Sequence, residues 1–268
     1  MPSLVRRLLP FSFAFALAAL TAAPVQADVV FGSSRTWEHS ARVERGQTIW
    51  IHGVNGGIRA EATTGDQVIV EATIKGRTSD PRDVDIRVVP DSDGIAFCAI
   101  YPGSRSVCES GRYEMPVKNN DVQVSFVVRV PAGVKLQAST VNGGIIVRGL
   151  DAPVRAVTVN GSCEIATTSS GEARTVNGSV RASLGRIAVT DALEFSTVNG
   201  SVTLHVEGPL DAEISARTVN GRVRSEFDVA NSRRRGGRTL EGTIGRGGAR
   251  IDMSCVNGSI SLKRGTEL

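Results

Sequence analysis

The tripeptide Val-Asn-Gly occurs seven times, beginning at Val54, Val141, Val159, Val176, Val198, Val219 and Val256. A degenerate copy, Leu240-Glu241-Gly242, fills the gap before the last one. The steps from Val141 are then 18, 17, 22, 21, 21 and 16 residues. A unit of about 20 residues is too short to enclose a core of its own, so such units must stack on one another.

Each unit alternates. Apolar residues run as Val134, Leu136, Ala138 before one tripeptide and Ile145, Val147 after it. The same holds for Leu193, Phe195 and then Val202, Leu204, Val206. Period-two alternation marks strands with one buried face. Before the tripeptide the apolar positions share the parity of the preceding Thr (Thr140, Thr158, Thr175, Thr197, Thr218), and after it that of the Val. A continuous flat strand cannot change parity and keep one face buried. A bulge or corner is therefore expected at each tripeptide, with Asn-Gly tolerating unusual backbone angles.

Two architectures satisfy this pattern. In a single-stranded β-solenoid each repeat is one coil, and equivalent residues stack about 4.8 Å apart. In an antiparallel meander Asn-Gly is a hairpin turn. The solenoid is favoured, because ladders of identical side chains give a reason for Val, Asn and Gly to recur together. The expected fold is all-β: a solenoid over residues 134–268, preceded by a less regular β-rich part over 28–133 that runs into it. Strands are expected at 47–52, 57–62, 67–75, 83–89, 94–101 and 122–130, and a loop at 102–121.

Residues 1–27 read as a secretory signal peptide. Arg6 and Arg7 precede an apolar run from Leu8 to Ala23, and Val25-Gln26-Ala27 is a small-residue cleavage pattern. Without this segment the formal charge of +4 falls to +2, which does not argue for nucleic acid. The first cysteine is Cys98, which argues against a lipid-anchored start. A periplasmic or secreted protein with no membrane-spanning segment in the mature chain is expected.

The chain resembles a bacterial family labelled as a β-strand-repeat domain of unknown function, also called putative adhesin. The likeness lies in the serial Thr-Val-Asn-Gly-Ser-Val blocks, in Val130-Pro131-Ala132-Gly133-Val134, and in Gly242-Thr243-Ile244-Gly245-Arg246-Gly247-Gly248. It covers roughly residues 47–264. It implies a β-solenoid-like fold in exported or envelope proteins and brings no catalytic residues with it.

Cys98 and Cys108 flank a Pro-Gly-Ser turn and are expected to form a disulfide in an oxidising compartment. Cys163 and Cys255 fall in inward columns and are expected to be free and buried. Five coils apart, they would be separated by on the order of 24 Å. The column Asn142, Asn160, Asn177, Asn199, Asn220 and Asn257 is expected to form a hydrogen-bonded ladder. Arg233, Arg234, Arg235 and Arg238, around Gly236-Gly237, are the candidate site for an anionic ligand.

His39, His52 and His205 have no metal-ligand spacing between them, so no metal and no cofactor is expected. Repeat carboxylates such as Asp151, Glu164, Glu172 and Glu194 are scattered, and no catalytic residues are expected. Trp37, Trp50, Tyr101 and Tyr113, all before the main array, are candidates for sugar stacking or ordinary core residues. The reading is a non-enzymatic, adhesin-like binding module of the cell envelope, contacting polysaccharide or protein. A self-assembling structural element is the alternative, and a carbohydrate-active β-helix enzyme the further one.

Overall fold

The computed structural model describes residues 33–265 apart from residues 104 and 186. The expected signal peptide lies outside the described residues. The described chain is all-β. Its strands form a ten-stranded and an eleven-stranded sheet, both mixed and sandwich-like, plus a separate two-stranded hairpin. The only helical turn among the described residues is the 3₁₀ turn Pro81–Asp83. No helix among the described residues is long and apolar enough to cross a membrane.

Each Val-Asn-Gly carries the chain from the larger sheet to the smaller. Lys135–Ser139 lies in the eleven-stranded sheet, and Ile145–Leu150, beyond the corner, in the ten-stranded one. Val154–Val157 and Cys163–Thr167 repeat this, as do Gly171–Arg174 and Val180–Leu184. Successive copies pair in parallel with equivalent residues opposite: Ile145 with Cys163, Cys163 with Val180, and Val180 with Val202. Alternate residues point between the sheets, where Leu136, Ile145, Ile165, Phe195, Val202 and Ile260 are essentially sealed from solvent. Burying a side chain of this size stabilises by about 1.5–3 kcal/mol.

The sheets as wholes are not a uniform single-stranded coil. Antiparallel strands close both ends: Ser34–Arg42, Gln67–Lys75 and Gln123–Pro131 at one end of the smaller sheet, and Asp85–Asp91 on Gly94–Ile100 in the larger. At the other end Ala230–Arg235 and Thr239–Ile244 form a hairpin laid antiparallel on Ala212–Asn220. That hairpin contains Leu240-Glu241-Gly242, which is therefore not a degenerate corner.

Spatial order also departs from chain order. Gly94–Ile100 and Gln123–Pro131 pair beneath Thr48–His52 and Ile58–Thr63, so these two later strands lie beneath an earlier segment. Near the other end Ala249–Asn257 inserts between Ala192–Asn199 and Ala212–Asn220. Local alternation cannot reveal either rearrangement, because every rung presents the same pattern.

Five of the six N-terminal strand expectations fall within a residue of an observed strand. The sixth, 83–89, is shifted to Asp85–Asp91. The loop expected at 102–121 contains the short strands Val107–Glu109 and Arg112–Glu114. Ser34–Arg42 has no continuous apolar face to announce it.

The corner glycines set the rung spacing. A Cβ on Gly178 would lie inside van der Waals contact with the carbonyl oxygen of Gly161, and one on Gly161 with that of Gly143. The relation recurs at Gly143, Gly200, Gly258 and Gly221. Gly178→Ala is thus expected to destabilise by more than about 3 kcal/mol, since it forces backbone rather than a flexible side chain to move. Gly65→Ala, which meets only the Thr63 side chain, is expected to stay within about 0.5 kcal/mol of the parent. Urea unfolding of both variants checks the contrast.

Candidate functional site

The repeated corner is built from four residue types. The Thr side chain is buried (Thr140, Thr158, Thr175, Thr197, Thr218). Its hydroxyl donates to the corner-glycine carbonyl one rung away: Thr158 Oγ1 to Gly143 O at 2.8 Å, Thr175 to Gly161 at 2.8 Å, and Thr197 to Gly178 at 2.7 Å. A buried carbonyl left without a donor is costly, so the hydroxyl explains Thr at an otherwise apolar position. Where Cys255 replaces Thr, its Sγ lies 3.0 Å from Gly258 O and 3.2 Å from Thr218 Oγ1.

The next two residues both face solvent, which is where the parity changes. Val141, Val159, Val176, Val198 and Val256 are 37–39% exposed and Val219 56%, whereas Val54 in the first corner is buried. Beside this apolar line runs a chain of amides. Asn142 Nδ2 donates to Asn55 Oδ1, Asn160 to Asn142, Asn177 to Asn160, Asn199 to Asn177, Asn257 to Asn199, and Asn220 to Asn257, each at 2.8 Å. Ser162 and Ser179 extend it, their hydroxyls accepting from the backbone of Ser179 and Ser201. The result is an amide ladder seven rungs long, with an exposed Val beside it on six of them. The alternation did not show that Val faces outward; two successive exposed residues at a corner were the missing element.

Cys98 and Cys108 are joined by a disulfide, which ties the hairpin of Val107–Glu109 and Arg112–Glu114 to the larger sheet. Under this hairpin lie Trp50 and His52, both buried. His52 stacks on Tyr113, with ring centroids 5.1 Å apart, and its Nδ1 is 2.7 Å from Ser139 Oγ. Burial lowers the His52 pKa from 6.5 to about 4. Tyr113 donates to Ala99 O, and Tyr101 is buried with its hydroxyl donating to Val122 O. Trp37 is half-buried against His39 and Phe97. These four aromatics pack into the N-terminal part and form no exposed stacking platform.

Cys163 and Cys255 are free and buried. Because Ala249–Asn257 is inserted out of order and Leu240-Glu241-Gly242 is no rung, their rungs are three apart instead of five, or roughly 14 Å at the usual strand spacing. Burial pushes the Cys163 thiol up to about 12.

The repeat carboxylates are tied into rung-to-rung pairs: Glu172 with Arg155, Glu194 with Arg174, Glu164 with Arg181, and Asp211 with Arg246. Among the described residues no group of three or more His, Cys, Asp or Glu side chains could hold a metal ion. The four arginines of the candidate anion site lie in the C-terminal hairpin. Arg233, Arg234 and Arg235 stand opposite Glu241, Leu240 and Thr239, and Arg238 lies in the turn.

No family model matches the sequence, and no curated protein does. Among solved structures the chain is similar to a putative cell adhesion protein from Clostridium sporogenes. The TM-score is 0.43 at 11% identity, covering 86% of this chain and 100% of that one. It is also similar to a putative adhesin from Bacteroides fragilis, at a TM-score of 0.37 and 10% identity, covering 86% and 97%. Overlaps this loose leave function open.

Three outcomes follow from the site. Thr175→Val is expected to cost about 1–3 kcal/mol by stranding the Gly161 carbonyl, and Thr175→Ser to restore most of it, as read by urea unfolding. Ellman's reagent at pH 8 is expected to leave Cys163 untouched in the native protein and to label it on unfolding, because the thiolate is the reactive form. His52 binds its proton more readily unfolded than folded. Its contribution is whole above pH 6.5 and is lost as pH falls toward 4, amounting to about 3 kcal/mol at most. His52→Phe should flatten that part of the stability–pH curve relative to the parent.

Proposed function

We propose that this chain is an exported, non-enzymatic, adhesin-like binding module of the bacterial cell envelope, built as a β-solenoid-like stack of rungs. One observation carries the reading: the edge of exposed Val beside laddered Asn. A catalytic site gathers different groups into one concave place. This edge does the opposite, spreading one polar-apolar motif at a fixed step along a rigid stack, and repeat proteins use such surfaces for extended contacts. The ladder holds each Asn in one rotamer, so a partner meets a pre-ordered surface and loses less entropy on binding.

End-to-end self-assembly is the second reading. Ser34–Arg42 favours it: this nine-residue strand lies at the rim of the smaller sheet, has no Pro, and pairs on one side only. Concentration-dependent light scattering of the mature chain separates the two, because a binding module stays monodisperse.

The test of the main reading is co-sedimentation of residues 28–268 with insoluble envelope polysaccharide and protein. The expected result is saturable binding that drops at least tenfold in Val176→Asp/Val198→Asp, with no reducing ends released from a glycan panel. Failure of the parent chain to sediment, or equal binding by the variant, overturns it.

A further inference from the structure

The C-terminal end of the molecule differs from the rest in charge. Residues 211–268 hold eleven Lys and Arg against seven Asp and Glu, while residues 28–210 hold eighteen against twenty. The basic excess of the mature chain therefore sits wholly at this end. Two of its carboxylates are already engaged, Glu241 by Arg217 and Asp211 by Arg246. Arg233, Arg235 and Arg238 form no ion pair with a described carboxylate.

Two concavities flank the terminal hairpin. One, of about 450 Å³, is lined by Thr218, Val219, Arg235, Gly236, Arg238 and Thr239, and every charge on it is positive. The hairpin turn is fixed against the last rung, since Arg238 O accepts from Thr218 N and Gly237 O from Val223 N. The two guanidinium-bearing residues are therefore set on a braced turn, not a free loop.

The other concavity, of about 700 Å³, lies further along the same hairpin. It carries both signs of charge: Arg217, Arg233 and Arg250 with Glu213, Glu241 and Asp252. A bulge opens it. The register slips between Ala230 and Arg233, Asn231 is left-handed with φ 52°, and Gly242 opposite has no room for a Cβ against Ala230 O. Bulges re-aim side chains, and a left-handed non-glycine residue is a strained conformation that the surroundings must hold.

We propose that this hairpin binds an acidic polysaccharide. An acidic group of the chain sits between Arg235 and Arg238, where two fork-shaped donors can each grip an oxyanion. The neutral hydroxyls of adjoining sugars sit in the mixed-charge concavity, where carboxylates accept from them and arginines donate to them. The same carboxylates argue against the other polyanions. Glu213, Glu241 and Asp252 balance the three arginines of the mixed concavity, which leaves it no net attraction for a nucleic acid or polyphosphate that carries charge at every unit. The same balance leaves no net attraction for an anionic membrane, and Val219 is the one apolar side chain in either concavity that is exposed enough to enter one. This surface meets the Val–Asn edge at Val219, but the arginines that carry it lie off that edge, so variants at Arg235 and Arg238 and variants at Val176 and Val198 test the two readings separately.

Affinity electrophoresis of residues 28–268 through hyaluronate, in which a carboxylate sugar alternates with a neutral one, tests it, with neutral dextran, duplex DNA and phosphatidylglycerol vesicles as comparisons. The parent chain is expected to be retarded by hyaluronate in a salt-dependent way and to bind DNA and vesicles at least tenfold more weakly. Arg235→Ala/Arg238→Ala is expected to lose at least tenfold. Arg235→Lys/Arg238→Lys, which keeps the charge but not the fork, should lose a smaller factor. Arg45→Ala/Arg77→Ala, at exposed positions far along the chain, should bind as the parent does. Circular dichroism and thermal melting confirm that each variant is folded. Absence of retardation, equal binding by the Arg235→Ala/Arg238→Ala variant, or tighter binding of DNA or vesicles overturns the proposal.

Discussion

The structure depends on one close approach: every corner glycine after the first sits against the carbonyl of the glycine on the next rung, and the first, Gly56, against that of Val124. Hydrogen bonding between strands sets the spacing at about 4.8 Å. At the corner, where the chain turns from one sheet into the other, that spacing leaves no volume for a side chain. Glycine is thus required by contact. The Thr that precedes the corner answers a second demand of the same place, because its hydroxyl reaches the carbonyl that the turning backbone leaves without a strand partner. Asn then ties one rung to the next from outside. Thr, Asn and Gly meet three separate physical needs of one junction, which is why they recur as a block.

What the junction permits at Val is equally informative. Val is neither needed for packing nor excluded from solvent, and its rungs expose it by about the same amount at Val141, Val159, Val176, Val198 and Val256, and more at Val219. Together with the ordered amides it makes a surface whose chemistry repeats with the backbone. The C-terminal hairpin breaks this regularity in shape and in charge. The most varied surface of the repeat array therefore lies at its end, where the hairpin covers the last rung in the larger sheet and the next rung would otherwise pair.

Much of this was legible beforehand. Alternation placed the strands, the parity change placed the corners, and Cys98 and Cys108 stood close enough in sequence to be considered together. Other features were not. Ser34–Arg42 alternates Arg, Trp, His and Ala with polar residues on a half-buried face, too mixed for an apolar count. Leu240-Glu241-Gly242 imitates a corner because strands in a hairpin also bring an apolar residue, a charge and a glycine into succession. The bulge opposite Gly242 depends on a partner strand, so no local reading reaches it.

By itself the sequence determined the kind of element, the inward column and the position of every true corner, because these follow from side-chain period and backbone tolerance within a few residues. The tertiary structure alone decided the order in which rungs stack. It set residues 94–100 and 123–131 beneath 48–63, slid 249–264 between two earlier rungs, and closed the ends with antiparallel strands. Rungs with nearly identical corners pair almost equally well with any other rung. The choice among them rests on the lengths of the connections and on how each end of the stack is covered, and both are properties of the whole chain.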